Sequence, residues 1–131
     1  MRILVVDDDI EWRDGFEFVF ERSFEGHECM TARSVDDALG SLTESRFDAV
    51  VTDYNLPNGQ TGARLYGQAR NRYAEGIIEE LPTFVSMSSG LDRRIVDRLL
   101  ESGFKAHWDK SKICDLDRLE EELRECIGCF A

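Results

Sequence analysis

Residues 2–9 read Arg2-Ile3-Leu4-Val5-Val6-Asp7-Asp8-Asp9, a short, mostly β-branched apolar run that stops on three consecutive acids. So continuous an apolar run fits a strand buried on both faces, the kind found in parallel sheets covered by helices. Four more runs follow: Cys29–Ala32, Ala49–Thr52, Thr83–Met87 and Phe104–Trp108. Helical periods lie between and after them. Trp12, Phe16, Val19, Phe20 and Phe24 make one apolar face, with Glu11, Asp14, Glu17 and Glu21 largely off it, and this aromatic set reads as core. Ser34 can cap a second helix with Asp37 three residues on, ahead of Val35, Ala38, Leu39 and Leu42. A third starts near Gly62 with the weaker stripe Leu65, Tyr66, Ala69 and Tyr73. Ile95, Val96, Leu99 and Leu100 form a fourth, stopped at Gly103, and Leu116, Leu119, Leu123 and Ile127 a fifth. Five such βα units predict one doubly wound α/β domain over residues 1–131. Right-handed crossovers leave few topologies, of which the flavodoxin-like strand order 2-1-3-4-5 is the common one for five strands.

The chain has 131 residues, 42% of them hydrophobic, enough to bury roughly two-thirds of the unfolded surface in a single core. Its net charge of −11 argues against a nucleic-acid or anionic-membrane surface, because both require a basic stripe. The acids are front-loaded, 14 against 5 bases up to residue 60 and 13 against 11 beyond it. No stretch is long enough to cross a bilayer, and the Met1 segment is too short for a secretory leader. The four Cys therefore do not read as a disulfide framework, and a reduced, cytoplasmic setting is expected. Cys126 and Cys129 have the gap of a redox or metal pair but no companion ligands, so incidental cysteines at a helix end are the expectation. Glu120, Glu121 and Glu122 read as a solvated helix face.

In doubly wound sheets the site lies beyond the carboxyl ends of the strands. There the sequence has Asp7, Asp8 and Asp9 after the first run, Asp53 after the third, Ser88 and Ser89 after the fourth, and Lys110 after the fifth. Asp8 and Asp53 come close if the first and third strands are neighbours, and such acids repel unless a cation joins them. An oxygen-rich, partly hydrated pocket suits Mg²⁺. Only three Lys stand among sixteen basic residues, so a Lys at a strand end is distinctive. The set suits phosphoryl transfer, with Asp53 attacking phosphorus, Mg²⁺ on Asp8 and Asp53, Asp7 holding metal-bound water, and Ser88 and Lys110 on phosphoryl oxygens. Asp9 reads as a helix cap. Capping cannot account for Asp7 and Asp8 together with Asp53, which ends another strand.

Ile3 to Asp9, Val50-Val51-Thr52-Asp53-Tyr54-Asn55-Leu56-Pro57, Ser86-Met87-Ser88-Ser89-Gly90 and Trp108-Asp109-Lys110 resemble, in order, the four signature segments of response-regulator receiver domains, the chemotaxis receivers among them. The resemblance covers essentially the whole chain and itself implies the strand order. It also implies Asp53 as phosphoacceptor, the Asn55 backbone carbonyl as a further Mg²⁺ ligand with Asp8 and Asp53, and Asp7 acting through water. Intervals to Lys110 and Gly103 place Ser88, not Ser89, at the family's Ser/Thr position. The implied partners are a sensor histidine kinase or phosphotransfer protein and a downstream effector, with signalling through the fourth helix, fifth strand and fifth helix, and a homodimer as an option. The chain is then no enzyme in the ordinary sense, but a phosphoacceptor that assists its own phosphorylation and dephosphorylation. Asn55 and Gly90 hold the positions that tune hydrolysis, and they leave the water path open, so the phosphoryl group is expected not to be unusually long-lived.

Three positions depart from the family pattern. The segment from Asp53 to Gly62 is one residue longer than the commoner spacing, a difference assigned to the Asn58–Thr61 loop. Ser111 stands where a Pro usually follows the Lys and its cis peptide. His107 occupies the position of an aromatic switch, where an imidazole either turns inward or remains a half-exposed polar tip. Two competing functions are a small haloacid-dehalogenase-like phosphatase using Asp7, suggested by the Asp7-x-Asp9 spacing, and a receiver-fold interaction module that never handles phosphate.

Overall fold

The computed structural model describes residues 1–113 and 115–130, the side chains of 126–130 excepted. Cys126, Cys129 and the packing of Ile127 lie outside the described residues. The elements alternate as β1 (Arg2–Val6), α1 (Ile10–Ser23), β2 (Glu28–Ala32), α2 (Val35–Glu44), β3 (Ala49–Asp53), α3 (Gly62–Ala74), β4 (Thr83–Ser88), α4 (Arg93–Ser102), β5 (Ala106–Asp109) and α5 (Leu116–Phe130). All strand pairs are parallel, in the order β2-β1-β3-β4-β5. Alternate residues of the central strands feed two cores. Leu4, Val6, Val50 and Phe84 pack with the buried faces of α2, α3 and α4, and Ile3, Val5, Val51, Val85 and Met87 with those of α1 and α5.

Local chemistry sets the element ends. Asp9 caps α1 by accepting from Glu11 N at 2.9 Å, and Ser34 caps α2 by accepting from Asp37 N at 3.1 Å. The loop after β3 folds as a 3₁₀ turn, Pro57–Gly59, with Asn58 and Gly59 at φ 62° and 70°, and closes through Leu56 N donating to Gln60 O at 2.9 Å. Asn and Gly are the residues that tolerate this left-handed backbone, so Asn58 and Gly59 close the turn.

Four sequence expectations change. The fifth strand begins at Ala106, not Phe104, because the Phe104 amide bonds back to Leu99 O at 3.1 Å and belongs to the end of α4. On α4 only Leu99 is buried; Ile95 and Val96 are half-buried and Leu100 is exposed, so its apolar stripe is only partly covered. Tyr73 is exposed on α3, and Leu116 is exposed at the start of α5. The loop after β5, whose shape Ser111 left open, is a 3₁₀ turn over Lys110–Lys112 capped by Asp109, and no cis peptide occurs among the described residues.

Gly62 ties α3 to the end of β3. A Cβ there would stand 2.8 Å from Asp53 O and 2.9 Å from Thr52 Cγ2, closer than carbon atoms approach. Gly62→Ala is expected to cost about 1–3 kcal/mol through overpacking, read as a lower urea midpoint at unchanged slope.

Candidate functional site

The strand order places the ends of β1, β3 and β4 side by side, with β5 beyond. Asp7 leaves β1 with its amide on Ala32 O, Asp53 is the last residue of β3, Ser88 the last of β4, and Lys110 follows β5. The four predicted groups thus converge on one edge. Carboxylate oxygens of Asp7, Asp8 and Asp53 lie within 4.8 Å of one another. Lys110 Nζ reaches across to donate to Asp7 Oδ2 at 2.7 Å and to Asp53 Oδ2 at 3.1 Å. Asp7 is fully buried and its other oxygen accepts from the Asp9 amide at 3.0 Å, whereas Asp8 is exposed. Ser88 is buried and Ser89 exposed, which favours Ser88 as the site residue.

Burial sets the electrostatics. Taking Asp53 out of water pushes its pKa up; Lys110 pulls it down, Asp7 pushes it up, and the Asn55 amide helps hold the charged form. The net direction is up. For Lys110, burial alone would lower the pKa, but Asp7 and Asp53 together outweigh it and raise it above the ordinary value, so the side chain is an ammonium at neutral pH. One ammonium thus faces three acids. Three carboxylates with one open to solvent are a donor set of the kind that a small, hard, partly hydrated divalent cation takes.

Three features of the site were not read in the sequence. The Lys110 ammonium sits 4.9 Å from the centroid of the Trp12 ring, so this half-buried side chain is a cation–π partner at the site as well as a core neighbour of Phe16. Its position one turn after Asp8 was the available signal. Arg13 Nη1 donates to Asp7 O at 2.9 Å and holds the β1 terminus. On the other side, His107 Nε2 lies 3.2 Å from Ser88 Oγ, linking the predicted switch position directly to the site. Burial lowers the His107 pKa while Asp109 opposes it.

The haloacid-dehalogenase reading does not survive this geometry. Both Asp7 oxygens are engaged within the protein, and the downstream acids Asp115 and Asp117 pair with Arg118 and Arg22 at the start of α5.

The chain matches the family model described as response regulator receiver domain over residues 3–124. It is 41% identical over 58 residues to the transcriptional regulatory protein FlgR of Helicobacter pylori, a match covering 44% of this chain and 15% of that protein. Its fold is similar to that of the chemotaxis response regulator CheY4 of Vibrio cholerae (21% identity, 95% and 96% of the two chains covered, TM-score 0.75). A CheY-like response regulator receiver domain protein from Methanospirillum hungatei is also similar (22% identity, 98% and 94% covered, TM-score 0.77), as is NtrX from Brucella abortus (24% identity, 98% and 27% covered, TM-score 0.78). No described helix is long and apolar enough to cross a membrane.

Proposed function

Because the chain belongs to the response regulator receiver domain family, we propose that Asp53 accepts a phosphoryl group from the phosphohistidine of a sensor histidine kinase or phosphotransfer protein in a two-component relay. The observation that carries this reading is the meeting of three carboxylates under one ammonium, with a buried serine at the end of the next strand.

An Asp53 oxygen forms the new bond to phosphorus as the donor's P–N bond breaks and the imidazole leaves. Lys110 places its charge where the equatorial oxygens gather negative charge, and Ser88 donates its O–H to one of them. Asp8 and Asp53, with the Asn55 carbonyl, would hold Mg²⁺, and Asp7 would act through a bound water; the ion, when present, neutralises acids and phosphoryl oxygens. Arg13 and the Asp9 amide fix Asp7 in place. The new dianion draws the Ser88 hydroxyl inward, and the displacement passes to the surface of α4, β5 and α5, which a downstream effector or a second copy reads. Hydrolysis proceeds along the water path that Asn55 and Gly90 leave open, so the domain assists both gain and loss of its phosphoryl group without turning over a substrate.

Incubated with acetyl phosphate and Mg²⁺, the protein is expected to gain one acid-labile phosphoryl adduct by intact mass. EDTA should remove the effect, and Asp8→Asn should slow it by more than about tenfold. An adduct forming equally fast with EDTA would sink the metal assignment, and one mapping to another residue would sink the function.

A further inference from the structure

Ser86 Oγ and His107 Nδ1 are both buried and both lack a hydrogen-bond partner among the described residues. They stand together: Ser86 on β4 is the register partner of His107 on β5, and paired residues of adjacent strands project from the same face of the sheet. Ser88, two residues along β4, shares that face, with its Oγ 3.2 Å from His107 Nε2. Phe84 on the same face packs in the core that contains Leu99 of α4, so the three polar side chains line the α4 side of the sheet below the phosphoacceptor edge.

Hydrogen count decides what this row can do. A phosphoryl oxygen only accepts, so Ser88 must have its own O–H free to bind it. A neutral imidazole carries one N–H. If the hydrogen is on Nε2, Ser88 accepts from the ring and its O–H is free. If it is on Nδ1, Nε2 takes the Ser88 hydrogen and competes with the phosphoryl group. The partner of one ring nitrogen fixes the state of the other, and the hydroxyl across the strand pair from the ring is Ser86.

We propose that Ser86 and His107 are positioning residues for phosphoryl binding, with Ser86 donating to His107 Nδ1 so that the ring hydrogen stays on Nε2 and the Ser88 O–H is free for a phosphoryl oxygen on Asp53. The first link requires the Ser86 hydroxyl to turn toward the ring of its register partner. The full order is then Ser86 O–H to Nδ1, Nε2–H to Ser88 Oγ, and Ser88 O–H to the phosphoryl oxygen. No covalent bond between heavy atoms changes. Burial of the half-exposed ring lowers its pKa and so favours the neutral form, in which the choice of nitrogen matters. This also gives a role to two atoms that are otherwise costly, since a buried polar atom without a partner destabilises a fold.

The inference rests on the proposed roles of Asp53 and Ser88, and the experiment separates the two. Imidazole ¹⁵N NMR of labelled protein, with His27 signals removed by His27→Gln, reports which His107 nitrogen is protonated before and after acetyl phosphate and Mg²⁺. The phosphorylated wild type is expected to hold the hydrogen on Nε2. Ser86→Ala should weaken that preference and slow adduct formation about three- to tenfold, the worth of one hydrogen bond, and Ser86→Thr should restore both. Unchanged tautomer and rate in Ser86→Ala overturn the proposal, as does a phosphorylated wild type with the hydrogen on Nδ1. A wild type that takes no phosphoryl group on Asp53 overturns the function and this relay with it.

Discussion

Asp53→Asn is expected to abolish the acid-labile phosphoryl adduct completely while raising the thermal midpoint of the unmodified protein. The first effect follows because an amide is no nucleophile toward phosphorus and neither neighbouring acid replaces it: Asp7 is buried with both oxygens bonded, and Asp8 is the acid assigned to the metal in the proposed function. The second follows from the direction of the Asp53 pKa. Burial raises it, so the folded state binds a proton more readily than the unfolded chain does. Stability from this group is present below the ordinary carboxylate pKa and falls as pH rises through the raised value, so at neutral pH the fold carries the cost of the ionised form. Asn removes that cost, and Lys110 keeps its 2.7 Å bond to Asp7. Differential scanning calorimetry across acid to neutral pH should show a fall in the wild type that is smaller in the variant. A midpoint that drops instead would mean that the Lys110 bond to Asp53 outweighs the crowding.

Lys110→Met should have the largest effect on stability, a loss of about 3–5 kcal/mol at neutral pH, the usual cost of removing one partner from a buried ion pair. The side chain keeps an apolar stem reaching to Cε and loses the ammonium, so the change acts chiefly on charge. Asp7, with no exposure, and Asp53 would face each other and Asp8 without a fixed cation. Millimolar Mg²⁺ should recover part of the loss, because a ligand that binds only the folded state stabilises it by mass action. Urea unfolding with and without the ion measures both. If the variant is as stable as the wild type, the three acids are not held against one another.

Much of this was legible in the sequence because the fold exposes its logic in one dimension. Apolar runs that are buried on both faces stand out, and each ends where the chain turns, so Asp7, Asp53, the Ser88–Ser89 pair and Lys110 could be found by reading strand ends, while the choice of Ser88 came from the family resemblance. Ser34 and Asp9 were legible as caps because capping acts over two or three residues. What could not be read depends on packing across space. Trp12 looked like one more member of an aromatic stripe, and only the arrival of Lys110 from the far end of the chain makes it a site residue. Ser86 was a polar residue in an apolar run, and its meaning depends on a register with β5 that no local pattern contains. The apolar stripe of α4 was correctly periodic, yet period says which residues share a face and not how deeply that face sinks; only Leu99 is covered.

The indole of Trp12 under the Lys110 ammonium has an optical consequence. Indole fluorescence responds to a charge held at its face, and the second tryptophan, Trp108, is buried in the core between the sheet and α1 and α5. Any shift of the ammonium away from the carboxylates therefore changes the field at the Trp12 emitter. The domain carries an unlabelled reporter beside the carboxylate cluster, and a stopped-flow trace of its emission on adding acetyl phosphate and Mg²⁺ is the expected real-time readout of the proposed reaction.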